Sequence, residues 1–204
     1  MLSEAQRAHD YALIRSVYER FMPIDDEIFD VIVAHMTYTE VAKGQAWINQ
    51  GGANDELGML AEGLVAGIED IDGDEHTTVF FDAPSFVTEY VGFLRRSKAQ
   101  NSLIALEDCR IYSWTYDALQ KMYETAPRGE RLGRLIAEHV IADVMNEVRS
   151  FRFDTATERY ENLTTRYPRL VQRMPQYMIA SYLGVTPESL SRIRAKLAKS
   201  SVVD

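Results

Sequence analysis

The chain has 204 residues and one cysteine, Cys109. A disulfide within the chain is excluded, and a cysteine-ligated zinc or iron–sulfur site within one subunit is not expected. The four histidines, His9, His35, His76 and His139, are scattered rather than grouped at ligand spacing, so no metal or haem is expected. Long apolar runs are missing too. No stretch approaches about 18 consecutive apolar residues, the length a membrane-spanning helix needs. The opening MLSEAQRAHD has no basic segment followed by an apolar one, so a secretory leader is not expected and a soluble cytoplasmic protein is the simplest reading. Catalytic signatures are equally scarce. There is no nucleophile elbow, no phosphate-binding P-loop, no His-Glu-x-x-His zinc motif and no dinucleotide fingerprint. The adjacent acids Glu107 and Asp108 read as a polar strand-turn, so an enzyme is not expected.

What is present is a normal apolar share, 46%, enough for a folded core. The net charge is −9, but it is unevenly spread. From Glu158 to Asp204 there are eight Lys/Arg and four Asp/Glu, a net of +4, which leaves 14 basic and 27 acidic side chains, or −13, on the rest. A basic tail on an acidic body is what a chain needs if only its tail meets phosphate. A chance cluster of solvated charges would look the same.

Residues 3–36 read as helical, with Ala5, Ala8, Ala12, Leu13, Val17 and Phe21 recurring at three- and four-residue steps. Pro23 breaks the run, and Asp25 or Asp26 can cap a second short helix through Ile28, Phe29 and Ile32. From Thr37 to about Trp114 the texture becomes β-rich. Seven short strands are expected at Thr37–Val41, Ala46–Ile48, Leu57–Leu60, Leu64–Ile68, Thr77–Phe81, Ser102–Leu106 and Ile111–Trp114. Glycine turns at Gly44, Gly51-Gly52, Gly63 and Gly73 punctuate them. The pattern predicts a small antiparallel roll or jelly roll, with one or two helical turns inserted at Phe86–Leu94. Helices resume at Tyr116–Thr125. Another starts at Pro127 and runs without Pro or Gly from Arg134 to about Phe151. Leu132, Ile136, Val140 and Val144 form its apolar line, flanked by Leu135, His139 and Ala142. Such a line is buried either in the chain's own core or, as a coiled-coil-like seam, against the same helix of a second copy. His139 is expected to pack there.

The most informative segment is Pro175–Leu197, PQYMIASYLGVTPESLSRIRAKL. Gln176–Leu183 reads as a short helix with Met178, Ile179, Tyr182 and Leu183 apolar, and the small Ala180 permits a second helix to approach. Gly184 ends it in the left-handed conformation of a tight turn. Val185 is expected in the buried corner. Thr186 is a good N-cap and Pro187 a good first helical residue. Leu190, Ile193 and Leu197 point inward, while Glu188, Ser189, Ser191, Arg192, Lys196 and Lys199 face out. This is helix-turn-helix spacing; an ordinary αα-hairpin is the bland alternative. In a helix-turn-helix the second helix enters the major groove. Glu188 is then placed to accept from a cytosine amino group and Arg192 to bond guanine bidentately, with Thr186, Ser189, Arg194 and Lys196 on phosphates.

With these residues in view the chain resembles the Crp/Fnr family of regulators over about residues 20–199. Lys43-Gly44, Asn49-Gln50-Gly51, Glu62-Gly63-Leu64-Val65 and Asp72-Gly73 resemble its glycine-marked roll. Thr186-Pro187-Glu188-Ser189-Leu190-Ser191-Arg192-Ile193 resembles its recognition helix, with Glu188 and Arg192 on the base-reading positions. Pro187 falls where many members carry another DNA-contacting arginine. The resemblance implies an α+β chain: a sensor-like, cyclic-nucleotide-binding-like domain (residues 1–126), a dimerisation helix (127–153) and a helix-turn-helix domain (154–204). With so few residues after the recognition helix, a full C-terminal wing is not expected.

The resemblance also points to a ligand pocket at Phe86, Thr88, Glu89, Gln100, Asn101 and Ser102. In the family's cyclic-nucleotide binders a Phe-x-Gly-Glu turn holds the ribose and an arginine about a dozen residues later holds the phosphate. Here Glu89 is kept, Thr88 replaces the glycine and Gln100 replaces the arginine. An amide cannot give a buried phosphate its charge-assisted pairing. Arg95, Arg96 and Lys98 lie nearby but read as a solvated loop. Val144 and Met145 fall where cyclic AMP binders present polar groups to the base. Cyclic AMP is therefore disfavoured. The expected partners are double-stranded DNA, a second copy of the chain and a small-molecule effector of unknown identity, with no membrane. The alternative is a small-molecule-binding or protein-interaction module whose helix-turn-helix is degenerate.

Overall fold

The computed structural model describes residues 2–200. Two helices open the chain, α1 (Glu4–Tyr18) and α2 (Asp26–Ala34). Ser3 and Asp25 cap them by accepting the amides of Gln6 and Ile28. The buried face of α1 is Asp10, Ile14, Val17 and Tyr18, while Ala5, Ala8 and Ala12 are exposed. Of the periodic series on α1, Val17 lies on the buried face and the alanines do not, and the helix also buries a polar contact. Arg110 donates two hydrogen bonds to Asp10, at 2.9 Å each, and the Tyr112 hydroxyl donates a third at 3.0 Å.

Eight antiparallel strands follow: β1 (Thr37–Val41), β2 (Ala46–Ile48), β3 (Glu56–Glu62), β4 (Leu64–Ile71), β5 (Asp74–Asp82), β6 (Ser85–Val87), β7 (Ser102–Ala105) and β8 (Cys109–Thr115). They form two four-stranded sheets, ordered β1-β8-β3-β6 and β2-β7-β4-β5. This is the antiparallel roll expected from the sequence, with one strand more. The insertion assigned to Phe86–Leu94 begins instead as β6, which pairs Phe86 with Met59 of β3. Only then does α3 (Tyr90–Arg95) form, capped by Glu89. The equally short β2 is bracketed by Gly44 and Gly51, but β6 runs into the segment of α3 with no glycine turn between, which is why the sequence concealed it. Leu60, Val87, Leu103 and Ile111 fill the space between the sheets. The Trp114 indole N–H donates to the Ile32 carbonyl at 2.9 Å and fastens α2 to the roll.

Helices α4 (Tyr116–Thr125) and α5 (Gly129–Phe153) complete the first half. Pro127 does not start α5. Arg128, at φ +61°, turns the chain in the left-handed region before Gly129 opens the helix. Next come α6 (Ala156–Arg166), α7 (Pro168–Arg173), α8 (Gln176–Tyr182) and α9 (Pro187–Ser200). A reciprocal capping box between Thr155 and Glu158 starts α6. The residues in which a C-terminal wing would begin, 201–204, lie outside the described residues. Among the described residues no helix is long and apolar enough to cross a membrane.

The C-terminal helices pack on the roll. Leu64 is fully buried with Tyr160, Leu170 and Ile179 around it. Met178 sits on Ala66 and Ile68 of β4. The Thr77 amide donates to Ser181 Oγ at 2.9 Å, and the Phe80 and Tyr182 rings meet edge to face at 5.4 Å. Arg173 joins Asp82 of β5 and both carboxylate oxygens of Glu107.

Candidate functional site

Two regions carry the chemistry that the sequence singled out. The first is the α8–α9 pair. Gly184, at φ +67°, makes the turn between them, a conformation that costs glycine no Cβ clash. Ala180 is fully buried, as close helix packing requires, and Leu190 is 1% exposed beneath α9. Val185 is half-buried rather than enclosed in the corner. Thr186 caps α9 by accepting the Ser189 amide at 3.2 Å. The Arg159 guanidinium donates to the Leu183 carbonyl at 2.8 Å and so holds the turn from behind, a support that no local motif announced.

The outward residues group as follows. Glu188, Ser191, Arg192 and Lys196 are exposed along α9, and Thr186 and Ser189 lie at its start. The backbone N–H of Glu188 and the Thr186 hydroxyl hold the Glu188 carboxyl below the usual glutamate range. It stays an acceptor near neutral pH. Arg192 donates to Ser189 Oγ at 3.2 Å, which aims the guanidinium toward the helix start. Arg194 donates to the Gln176 side chain and bridges α9 to α8. The charge excess of the tail is partly spent inside the molecule. Arg166 pairs with Asp143 at 2.8 Å, and Arg173 with Asp82 and Glu107. The outward basic set is concentrated on α9.

The second region is a cavity of about 520 Å³ between the roll, α3, α4 and the first half of α5. It is the size of a small-molecule pocket. Of the expected pocket residues, Phe86, Thr88, Glu89 and Asn101 line it. Gln100 and Ser102 do not. Gln100 is exposed, and Ser102 Oγ accepts the Gln50 amide at 2.9 Å on the other side of its strand. Arg95, Arg96 and Lys98 are also absent from its wall. Arg96 lies over the Tyr116 ring and bonds Asp117 at 3.0 Å. Val144 and Met145 sit beyond the cavity and are exposed, because α5 lines it only between Gly133 and Val140.

Glu89 is 5% exposed, and its carboxylate is already engaged. Oε2 accepts the amides of Gly92 (3.0 Å) and Gln100 (3.2 Å) and the Asn54 side chain (3.1 Å), while Oε1 accepts the Val91 amide at 3.2 Å. The residue caps α3 and ties the two arms of the loop together. Gly92 is required for it, since a Cβ there would overlap Glu89 Oε2 and the Asn54 amide. Thr88, in the place of the family's glycine, donates to the Glu56 carbonyl at 2.9 Å. The walls are largely apolar. Burial pushes the Tyr123 phenol up to about 12, so it stays neutral near neutral pH.

The second half of α5 is the third notable surface. Leu132 is buried and Ile136 packs against the core beside α1 and α4. Beyond Val140 the apolar side chains have no cover: Ile141 is 61% exposed and Met145 62%, with Val144 and Val148 also open. His139 does not pack in a core. It is exposed, 3.5 Å from Asp143, with its ring edge-on to Phe21 at 5.4 Å. Cys109 is buried and unpaired.

Comparison with known proteins places these features in context. Residues 38–126 match the model of the cyclic nucleotide-binding domain. No curated protein matches the sequence. Among solved structures, the chain is similar to the c-di-GMP-responsive global regulator CLP of Xanthomonas campestris: 19% identity, TM-score 0.67, 87% of this chain and 93% of that one. It is also similar to FixK2 from Bradyrhizobium japonicum: 17% identity, TM-score 0.69, 81% and 86%. The Thermus thermophilus catabolite activator protein aligns over 89% and 87%, at 19% identity and TM-score 0.53. At these identities the shared property is the fold, a roll with flanking helices and a C-terminal helical region, as in Crp-like regulators.

The residues present do not fit a cyclic nucleotide. Among the described residues the cavity has no cation where a cyclic phosphate would be clasped, and its one lining cation, Arg134, lies on α5 and is paired with Glu138 at 2.6 Å. The acid that would hold a ribose already accepts four donors.

Proposed function

We propose that this chain is a homodimeric DNA-binding transcription regulator of the Crp/Fnr type. In this reading residues 1–126 form the sensing part, α5 (within 127–153) joins two copies, and residues 154–204 carry a helix-turn-helix. The observation that carries the proposal is the α8–α9 pair. Its Gly184 turn, Thr186 cap and buried Ala180 and Leu190 leave Glu188, Arg192 and Lys196 on one outward face.

Phosphate contacts by Lys196, Arg194, Thr186 and Ser189 would position the helix, and Glu188 and Arg192 would read base edges. The exposed line Ile141, Val144, Val148 and Phe151 repeats at alternating three- and four-residue steps, the spacing of a two-helix seam. Pairing α5 with its copy would set two recognition helices about 34 Å apart on a pseudo-palindromic site.

The test is duplex binding by the full chain and by Arg192→Ala, followed by fluorescence anisotropy across salt. The reading predicts that affinity for a selected site falls steeply with salt, and that R192A loses about tenfold or more on that site while keeping its weak non-specific binding. The alternative, an interaction module with a degenerate helix pair, draws support from Arg166 and Arg173 being paired with acids of the same chain. It predicts salt-insensitive or negligible retention and no effect of R192A.

A further inference from the structure

We infer that the roll cavity takes an amphipathic carboxylic acid, with an aromatic or acyl body among its apolar walls and the carboxylate on Arg134. The site rests on the proposed sensing role only for its consequence, not for binding itself.

Three observations carry it. The first is the wall. Phe81, Phe86, Phe93, Leu103, Met122 and Ile136 present hydrocarbon and ring surface to a cavity of about 520 Å³. Burying a hydrocarbon body there releases about 25 cal/mol per Å² of apolar surface, whereas a phosphate would lose its hydration with no buried donor set in return. The second is the state of the polar groups. Glu89 accepts from Asn54 and three amides, and the Thr88 hydroxyl is held by the Glu56 carbonyl. Asn101 Oδ1 is a buried acceptor in the wall without a partner among the described residues, so it repels a carboxylate, and Glu89 likewise makes the inner end hostile to an anion. The third is Arg134. It is the one cation lining the cavity among the described residues. Its partner Glu138 is one turn along the same exposed helix face, with both side chains more than half exposed. An exposed pair of this kind holds weakly, so a ligand carboxylate can replace Glu138 with a bidentate contact. The ligand would then lie with its body inward and its acid at the rim.

This placement gives the ligand a route to the rest of the molecule. It would press on Gly133–Val140, and α5 continues directly into the uncovered apolar line from Ile141. A ligand that seats α5 on the roll also fixes the direction in which that line projects.

The test is titration calorimetry on the full chain with octanoate, octan-1-ol and 3′,5′-cyclic AMP, repeated on Arg134→Gln and Ala137→Phe. Octanoate should bind saturably at one site per chain, about tenfold or more tighter than octan-1-ol or cyclic AMP. R134Q should bring octanoate down to the level of octan-1-ol. A137F, which fills the cavity from α5, should bind neither. If A137F fails to fold, as circular dichroism would reveal, the R134Q difference between acid and alcohol decides alone. Tighter binding of cyclic AMP, no binding of octanoate, equal binding of acid and alcohol by the unaltered chain, or octanoate binding by a folded A137F would each overturn the inference. Duplex retention without any ligand reads the DNA-binding proposal separately, so the two can fail independently.

Discussion

At the scale of single residues, the chain's most demanding positions are polar groups enclosed by the fold. Asp10 is fully buried. Burial pushes its carboxyl up, but hydrogen bonds from Arg110, Gln6 and Tyr112 outweigh that and leave it below the usual aspartate range. A carboxyl depressed in the folded state contributes stability above its unfolded pKa of about 3.9 and loses it as pH falls toward the folded value. Asp10→Ala should cost about 2 kcal/mol in urea unfolding at pH 7, because Arg110 and Tyr112 lose their buried acceptor and Arg110 keeps only the exposed Glu62 carboxylate. The cost should shrink as unfolding is measured at pH values falling below about 4. Gly92 is a second such position. Gly92→Ala drives a methyl into Glu89 and Asn54, so it should lower stability by about 1–3 kcal/mol at pH 7, read by the same unfolding curves. None of this was visible beforehand. Asp10 sits in a stretch where alanines mark a plausible stripe, and its partners Arg110 and Tyr112 lie a hundred positions away. Glu89, by contrast, stood out in the sequence, and its four donors give it a structural role as the cap of α3.

At the scale of elements, local signals carried well wherever the element was long, capped or bounded by turn glycines. The strands from Thr37 and Ala46 and the helix from Tyr116 have the expected limits, and the Gly184 turn and Thr186 cap of α9 were readable from turn and cap chemistry alone. β6 was missed because, unlike the equally short β2, it has no glycine turn to part it from the segment that follows, and α5 was started too early because Arg128 rather than Pro127 redirects the chain. The apolar line of α5 shows how one pattern serves two ends. Leu132 and Ile136 meet the chain's own core, while Val144 and its neighbours lie open, so the core reading holds for the first half of the helix only. The proposed seam makes a direct prediction. Val144→Glu and Val148→Glu together should leave the fold intact by circular dichroism yet convert a dimer to a monomer in light scattering after gel filtration, since two charges cannot be buried unpaired in an apolar seam.

At the scale of the whole molecule, the fold joins a roll that was legible as glycine-punctuated strands to a helical tail whose docking was not. The contacts between them involve Thr77 with Ser181, Phe80 with Tyr182, and Arg173 with Asp82 and Glu107. Sequence reading counted Arg173 toward a phosphate-facing charge; the structure spends it on the roll. The Arg173 hydrogen bonds hold Glu107 below the usual glutamate range, so this junction should hold above that range and loosen as pH falls through the depressed value. Arg173→Ala should raise amide hydrogen exchange in α8 at pH 7 by about an order of magnitude, while exchange in β3 and β8 stays unchanged. The same substitution should remove most of the acid sensitivity of α8 exchange.

The proposed regulator reads DNA with two copies of α9 together. The decisive experiment selects binders from a random duplex library with the full chain at two salt concentrations. The expected result is an enriched site with two-fold symmetry, half-sites about one helical turn apart, and enrichment that collapses at the higher salt. No enrichment at either salt, or an enriched site without symmetry, would contradict it.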